Sequence, residues 1–459
     1  MAAFAHRSGV VGRAGLSYAY CVALGAAAAL VGTLGLVSWA LVFAYRSLRG
    51  RPRPPLRRVK ISLGLALGGA VMVWTSAKVR GVSIPYAAID ARMLAAYRPA
   101  ARASTKTAAL PYVLLAGDLH CHVSPPDDRD HVSRDLAQTL ELARAEGLDF
   151  IVLTPHIWTP YLKAPGYRER ILAGHRWLTT ELSRVNLGGV LAAAGAESTD
   201  DSWGHVGMAF GDFERALREM TDAEVDTNLG AFFQRYVDSG GLLTLNHPLA
   251  KPEGLPARVF GVDVTWRPFT LPGVEYPSQI RVADRLAIGV EAYNLGVSEL
   301  RDFLAFGDRE TSIREVLSLL DREIVHRQRR LVPVGGSDSH GFFLRPVLFV
   351  LAKERTLAGV HEAIAAGRTC VRDSAACSLV ARKPGGAWQP VGSAISSTDS
   401  VEVRISADGT LYRGGSEQGR LRQDEIRSVP TPRSACALLR VAVGGGYSAP
   451  IYVNCPFAE

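Results

Sequence analysis

Six histidines and two carboxylates stand where the chain could gather a metal centre. His120 and His122 flank Cys121 in Asp118-Leu119-His120-Cys121-His122. His156 follows Leu-Thr-Pro. Glu197 closes Ala-Gly-Ala-Glu, and His205 comes soon after in Trp-Gly-His. His247 lies in Leu-Thr-Leu-Asn-His-Pro, and Asp338 and His340 close Gly-Gly-Ser-Asp-Ser-His. Imidazole and carboxylate are the donor set of Zn²⁺, Mn²⁺ or Fe²⁺. One histidine at a strand end is ordinarily a packed or surface residue. Here several short apolar runs in succession end in such a donor, and two end in pairs spaced i, i+2, which share one side of a strand.

The runs that must position these groups read as strands alternating with helices. Strands are expected at 112–116, 150–154, 190–194, 242–245, 288–293, 331–334, 347–352 and 369–371. Helices are expected at 134–146, 168–185, 228–238 (Thr227 as its N-cap), 312–328 and 357–366. Gly147 reads as a helix stop, and Ser312 with Glu315 as a capping box. Such alternation predicts an α/β fold with a mainly parallel sheet or barrel. In a parallel barrel the C-terminal strand ends form one rim, so residues distant in sequence meet there. His175, His326 and His361 fall in helical segments without partners and are expected at the surface. Residues 250–286, rich in Pro and Gly, read as an insertion.

Taken in order, Asp-Leu-His-Cys-His, Thr-Pro-His, Gly-Ala-Glu, Asn-His-Pro and Gly-Ser-Asp-Ser-His resemble the polymerase and histidinol phosphatase (PHP) domain over about residues 112–373. Trp-Gly-His after the Glu resembles its carbaryl-hydrolase-like metallohydrolase branch, and the closing Ala-Ala-Gly-Arg-Thr-Cys-Val resembles the end of the domain. The resemblance implies a distorted seven-stranded β/α barrel holding up to three divalent ions (Zn, Mn or Fe). His120, His122, Glu197 and Asp338 would hold one. Glu197 would bridge to a second, completed by His205 and His247. His156 and His340 would hold a third with a residue of the loop after the first strand. Asp127 and Asp128 fit that place and His131 lies slightly beyond; Asp128 is preferred. The family usually has Asp before the second-strand His, where this chain has Pro155.

The chemistry implied is hydrolysis by a water held between ions, whose pKa can fall to near 7. Asp338, His340 and Glu197 are the expected catalytic residues, and no Ser or Cys nucleophile is needed. Cys121 is expected to point away and pack. Arg345 and Arg129 could meet a substrate phosphate, although surface positions suit them as well. Glu291, in Val-Glu-Ala-Tyr-Asn, could support the ligands or serve only the backbone. The amidohydrolase comparison is weaker, because no barrel lysine that would bridge metals stands out.

The rest of the 459-residue chain sets the context. The formal net charge is +8, but residues 1–110 carry 15 Lys/Arg and one acid, Asp90. The remainder is therefore mildly acidic, so no nucleic-acid partner is expected. The stretch 14–45 lacks charge, and 61–77 does again. A spanning helix needs about 20 apolar residues, so residues 1–80 are expected to anchor in the lipid bilayer through helices at about 17–45 and 61–77. The connecting Arg-rich segment with no acid marks the cytoplasmic side. That places the later domain on the extracytoplasmic face of a multi-pass cell-membrane protein. Residues 81–111 read as a linker, 112–373 as the metallohydrolase domain and 374–459 as a small β-rich region. Cys370, Cys377, Cys436 and Cys455 could form two bridges, with three pairings open.

The expected function is thus a membrane-anchored phosphoesterase acting on a small-molecule phosphate ester. A hydrolase of carboxylic or carbamate esters and a non-catalytic, metal-stabilised sensor are the alternatives.

Overall fold

The computed structural model describes residues 13–49, 56–81, 110–127, 132, 134–200, 202–249, 265–296, 309–340, 344–396 and 398–457. The chain divides into two compact units, Met1–Tyr97 and Arg98–Glu459.

The first unit contains two helices, Arg13–Leu48 and Leu56–Gly81. Among the described residues one helical segment, Gly25–Leu48, is long and apolar enough for a membrane span or a signal sequence. The second apolar segment, Val59–Met72, is shorter than such a span, although its helix continues at both ends. Small residues let the two helices meet backbone to backbone, as in membrane helix pairs. A Cβ at Gly32 would collide with the main chain of Ser62 and Ala66, and one at Gly69 with that of Gly25 and Ala29.

The second unit starts with β1 (Val113–Cys121), which pairs in parallel with β2 (Phe150–Leu153). After Thr154 and Pro155 the chain resumes as β3 (His156–Trp158). Similarly β4 (Leu191–Ala194) continues past Gly195 as β5 (Ala196–Asp200). β6 (Gly204–Ala209), β7 (Leu242–Leu245), β8 (Gly289–Asn294) and β9 (Val332–Gly336) follow. One six-stranded sheet runs β3-β5-β6-β7-β8-β9. It is mixed, because β5–β6 and β6–β7 are antiparallel while the other pairs are parallel. The segment after β9 returns to β1: Ser339 bridges Cys121, and the Asp338 amide donates to His120 O at 2.7 Å. The sheet is therefore curled, with the segment after its last strand reaching β1 of the neighbouring sheet.

β10 (Leu348–Ala352) and β11 (Thr369–Val371) extend from the other side of β1. The C-terminal strands are β12 (Val380–Arg382), β13 (Gln389–Pro390), β14 (Ala394–Ile395), β15 (Ser400–Arg404), β16 (Gly409–Arg413), β17 (Ser416–Leu421), β18 (Arg427–Pro430), β19 (Ala437–Val443), β20 (Gly446–Ser448) and β21 (Ile451–Val453). β20 pairs with β11, so the sheet that begins in the α/β part continues into the β-rich part. Leu351, Phe349 and Ala116 share one apolar core with Val401, Leu439, Val441 and Ile451. Buried Arg440 on β19 pairs with buried Asp321 of the helix Arg309–Arg327. Of the three possible cysteine pairings the chain adopts Cys370–Cys377 and Cys436–Cys455.

Some expectations change. The helix from Arg309 places Ser312 inside it rather than at its cap. Thr227 ends one helix, Asp222–Thr227, instead of capping the next, which runs Gly230–Asp238. The insertion contains helices at Arg267–Thr270 and Ser278–Leu286, with Trp266 fully buried and donating to Asp284 at 2.8 Å.

Candidate metal centre

The curl of the sheet brings all eight sequence-selected donors together: His120, His122, His156, Glu197, His205, His247, Asp338 and His340. Three groups form among them. In the first, His120 Nε2 and His122 Nε2 are 3.2 Å apart, and Asp338 Oδ1 is 3.5 and 3.2 Å from them. In the second, Glu197 Oε1 lies 3.2 Å from His205 Nδ1 and 3.5 Å from His247 Nε2. In the third, His156 Nε2 faces His340 Nε2 at 3.1 Å, with His122 stacked on both rings. Two ligands of one tetrahedral Zn²⁺, each bonded at about 2.0–2.1 Å, stand about 3.3 Å apart. The donor spacings match that edge.

Glu197 connects the groups. Its Oε1 is 3.1 Å from His120 Nε2, and its Oε2 is 3.0 Å from His156 Nδ1 and 3.6 Å from His122 Nε2. A carboxylate that reaches every group has the geometry of a bridging ligand. The donor set fits divalent cations on a second ground. His205 Nε2 is buried without a hydrogen-bond partner, which is costly unless another group satisfies it.

The electrostatics are those of a site made for cations. Burial alone would raise the Glu197 carboxyl, but His120 and His205 beside it hold it well below the usual carboxylate range. Asp338 is likewise depressed, because His120 and His122 outweigh its burial. Burial opposes charge on His120, yet Glu197, Asp338 and Glu291 raise its pKa well above the ordinary value. His122 is pushed down to about 3 by burial and by His340, and burial and His122 lower His156. The neutral imidazoles of His122 and His156 and the ionised carboxylates of Glu197 and Asp338 thus coexist in one cluster, as metal binding requires.

The backbone is bent to serve this arrangement. His247 has φ +30° and Asp338 φ +50°. Left-handed conformations are costly for such residues and collect at functional sites.

The expected loop ligand Asp128, together with Arg129 and His131, lies outside the described residues. Its neighbour Asp127 is placed between two donors: Oδ2 is 3.3 Å from His122 Nδ1, and Oδ1 accepts from the His156 amide at 2.8 Å. Asp127 thus supports the main chain beside Pro155. Thr199 Oγ1 lies 3.0 Å from His156 Nδ1. Cys121 is fully buried, and burial pushes its thiol up to about 12, so it packs rather than reacts. Arg345 is half-buried.

His175, expected at the surface, is buried and stacks on Phe213 at 4.5 Å. Asn246 was not singled out from sequence. It donates to Glu197 Oε1 at 2.8 Å, and its place beside His247 in Asn-His-Pro is the signal that could have marked it.

No family model matches the chain, and no curated protein matches it. Several solved structures are similar in part, two of them as follows. A two-domain protein from Bacteroides vulgatus ATCC 8482, described as containing a predicted PHP-like metal-dependent phosphoesterase, shares 17% identity over 74% of this chain and 96% of its own length, with a TM-score of 0.37. PsfC from Pseudomonas syringae PB-5123 shares 17% identity over 52% of this chain and 82% of its own length, with a TM-score of 0.32.

Proposed function

We propose that the chain is a membrane-anchored, metal-dependent hydrolase, most simply a phosphoesterase, whose curled sheet is a distorted seven-stranded barrel holding up to three divalent ions. The observation that carries the reading is the convergence of six imidazoles, Glu197 and Asp338 at ligand-to-ligand spacing. His120, His122 and Asp338 hold one ion, Glu197, His205 and His247 a second, and His156 and His340 a third, with Glu197 as the bridge. When bound, such ions acidify a water and neutralise charge on ester oxygens. Clusters of this kind suit displacement at phosphorus, where two oxygens need stabilisation at once. Glu197 and Asp338 keep the cations close together, while His340, more open than His122, stands nearest to solvent in its group.

Two disulfides accord with an oxidising compartment, and the Arg-rich connection between the helices supports a hairpin with the later domain outside the cytoplasm. The deciding experiment is metal analysis of the purified chain together with hydrolysis of aryl phosphate mono- and diesters and aryl acetates. Metal-dependent turnover of phosphate esters supports the reading. Turnover of acetates alone shifts it to carboxylic or carbamate esters, and bound ions without turnover make the chain a sensor.

A further inference from the structure

None of the eight donors lies in β8 or just after it among the described residues, yet the polar residues of β8 touch three of them. Glu291 is buried, and its Oε1 lies 3.1 Å from His120 Nδ1. Its Oε2 accepts from the His247 amide at 2.7 Å and from Asn294 Nδ2 at 2.9 Å. Asn294 Nδ2 also donates to Asp338 Oδ2 at 3.2 Å. In a regular strand residues 291 and 294 would face opposite sides. The pairing of β8 with β9 shifts register between Glu291 and Tyr293, and this bulge turns both side chains to the cluster.

We infer that Glu291 and Asn294 form a positioning clamp that fixes His120, His247 and Asp338 in ligand geometry for a divalent cation. The inference rests on the metal-centre reading above. With Nδ1 held against Glu291, His120 turns its Nε2 toward His122, Glu197 and Asp338, the atom a cation would take. The same carboxylate holds the amide of His247, a donor with a left-handed backbone. Asn294 then ties that carboxylate to Asp338. Neighbouring backbone leaves room for nothing else: a Cβ at Gly336 would collide with Glu291 Oε1 and His120 Cβ. Outer partners of this kind set tautomer and orientation, and their loss typically weakens metal binding by about 10–100-fold.

The test uses the full chain in detergent, with Zn²⁺ as the probe and a chelator in competition. Glu291→Gln places an amide N–H against donors that now meet an acceptor, and Asn294→Ala removes the tie to Asp338. Both variants are expected to bind at least one Zn²⁺ about 10–100-fold more weakly, while the thermal midpoint of the metal-free chain stays near that of the wild type. In ¹⁵N-histidine spectra of the Zn²⁺-loaded chain, Glu291→Gln is expected to shift the protonated Nδ1 signal that is lost in His120→Asn. Wild-type affinity and an unmoved signal in both variants overturn the clamp while leaving the metal centre intact. Affinity that falls only in step with the metal-free thermal midpoint also overturns it. A wild-type chain that takes up no Zn²⁺ overturns the metal centre itself. Should Glu291→Gln fail to fold, Asn294→Ala decides alone through its affinity and its midpoint.

Discussion

His156 and His340, 184 residues apart in sequence, face one another through their Nε2 atoms at 3.1 Å. His340 Nδ1 donates to Asp338 O at 3.0 Å, so in the neutral ring the lone pair is on the side of His156. Burial lowers the pKa of His156 and so favours its neutral form too. Two lone pairs pointed at each other repel unless a proton or a cation lies between them. Removing cations should therefore be felt in stability as well as in activity.

A chelator is expected to lower the thermal midpoint of the chain, and Zn²⁺ or Mn²⁺ to restore it. At free metal ~1,000-fold above its dissociation constant the gain is about 4 kcal/mol. Calorimetry with and without chelator measures it; an unchanged midpoint would argue against the centre.

Glu197→Gln removes the bridge among the three groups. The variant should retain fewer ions per chain than the wild type and lose at least about 100-fold in kcat/KM toward its best ester. Elemental analysis and steady-state kinetics on the same preparation check both halves.

His175 gives a pH signature independent of the metal centre. Burial lowers its pKa to about 4 from an ordinary 6.5, and neither ring nitrogen has a hydrogen-bond partner. The unfolded chain binds the proton first as pH falls. The native state is therefore fully stable with respect to this group above about pH 6.5 and loses stability down to about pH 4, by about 3 kcal/mol in all. His175→Leu should remove that part of the acid loss. Denaturant titrations of both chains at pH 7 and pH 5 give the difference directly, and equal slopes against pH would refute the assignment.

The Arg440–Asp321 pair predicts a non-additive effect. Arg440→Met alone leaves a buried carboxylate unpaired and should cost about 3–5 kcal/mol, while replacing Asp321 by Leu as well should recover most of it. Chemical denaturation of the single and double variants tests this, and additivity would contradict it.

The elements easiest to read in the sequence are those whose strands bury apolar residues. The 242–245 and 369–371 strands coincide with β7 and β11, and 150–154 differs from β2 by one residue. β5 and β6 were not anticipated, because Glu-Ser-Thr-Asp and Gly-His-Val-Gly carry polar or small side chains. Glu197, Thr199 and His205 among them face the donor cluster, so the site itself erased part of the usual strand signal. The antiparallel turns of the sheet at β6 were hidden for the same reason. The eight donors were legible because each sits near a strand end in a short motif, whereas Asn294 was not, since only the bulge in β8 turns it toward Asp338. His175 was misread because a histidine in a helix was taken as polar, although it shares the buried face of that helix with Leu178 and Leu182, three and seven residues on, where Phe213 stacks on it.

The pairing of β20 with β11 has a consequence for biogenesis. Until Gly446–Ser448 has been synthesised and delivered, β11 presents unpaired amides and carbonyls along one side. A partly synthesised chain would carry that sticky border beside its nascent α/β part, where strands of other copies could attach. The C-terminal segment thus acts as an intramolecular seal, and shortening the chain before β20 should yield aggregates rather than a smaller folded chain.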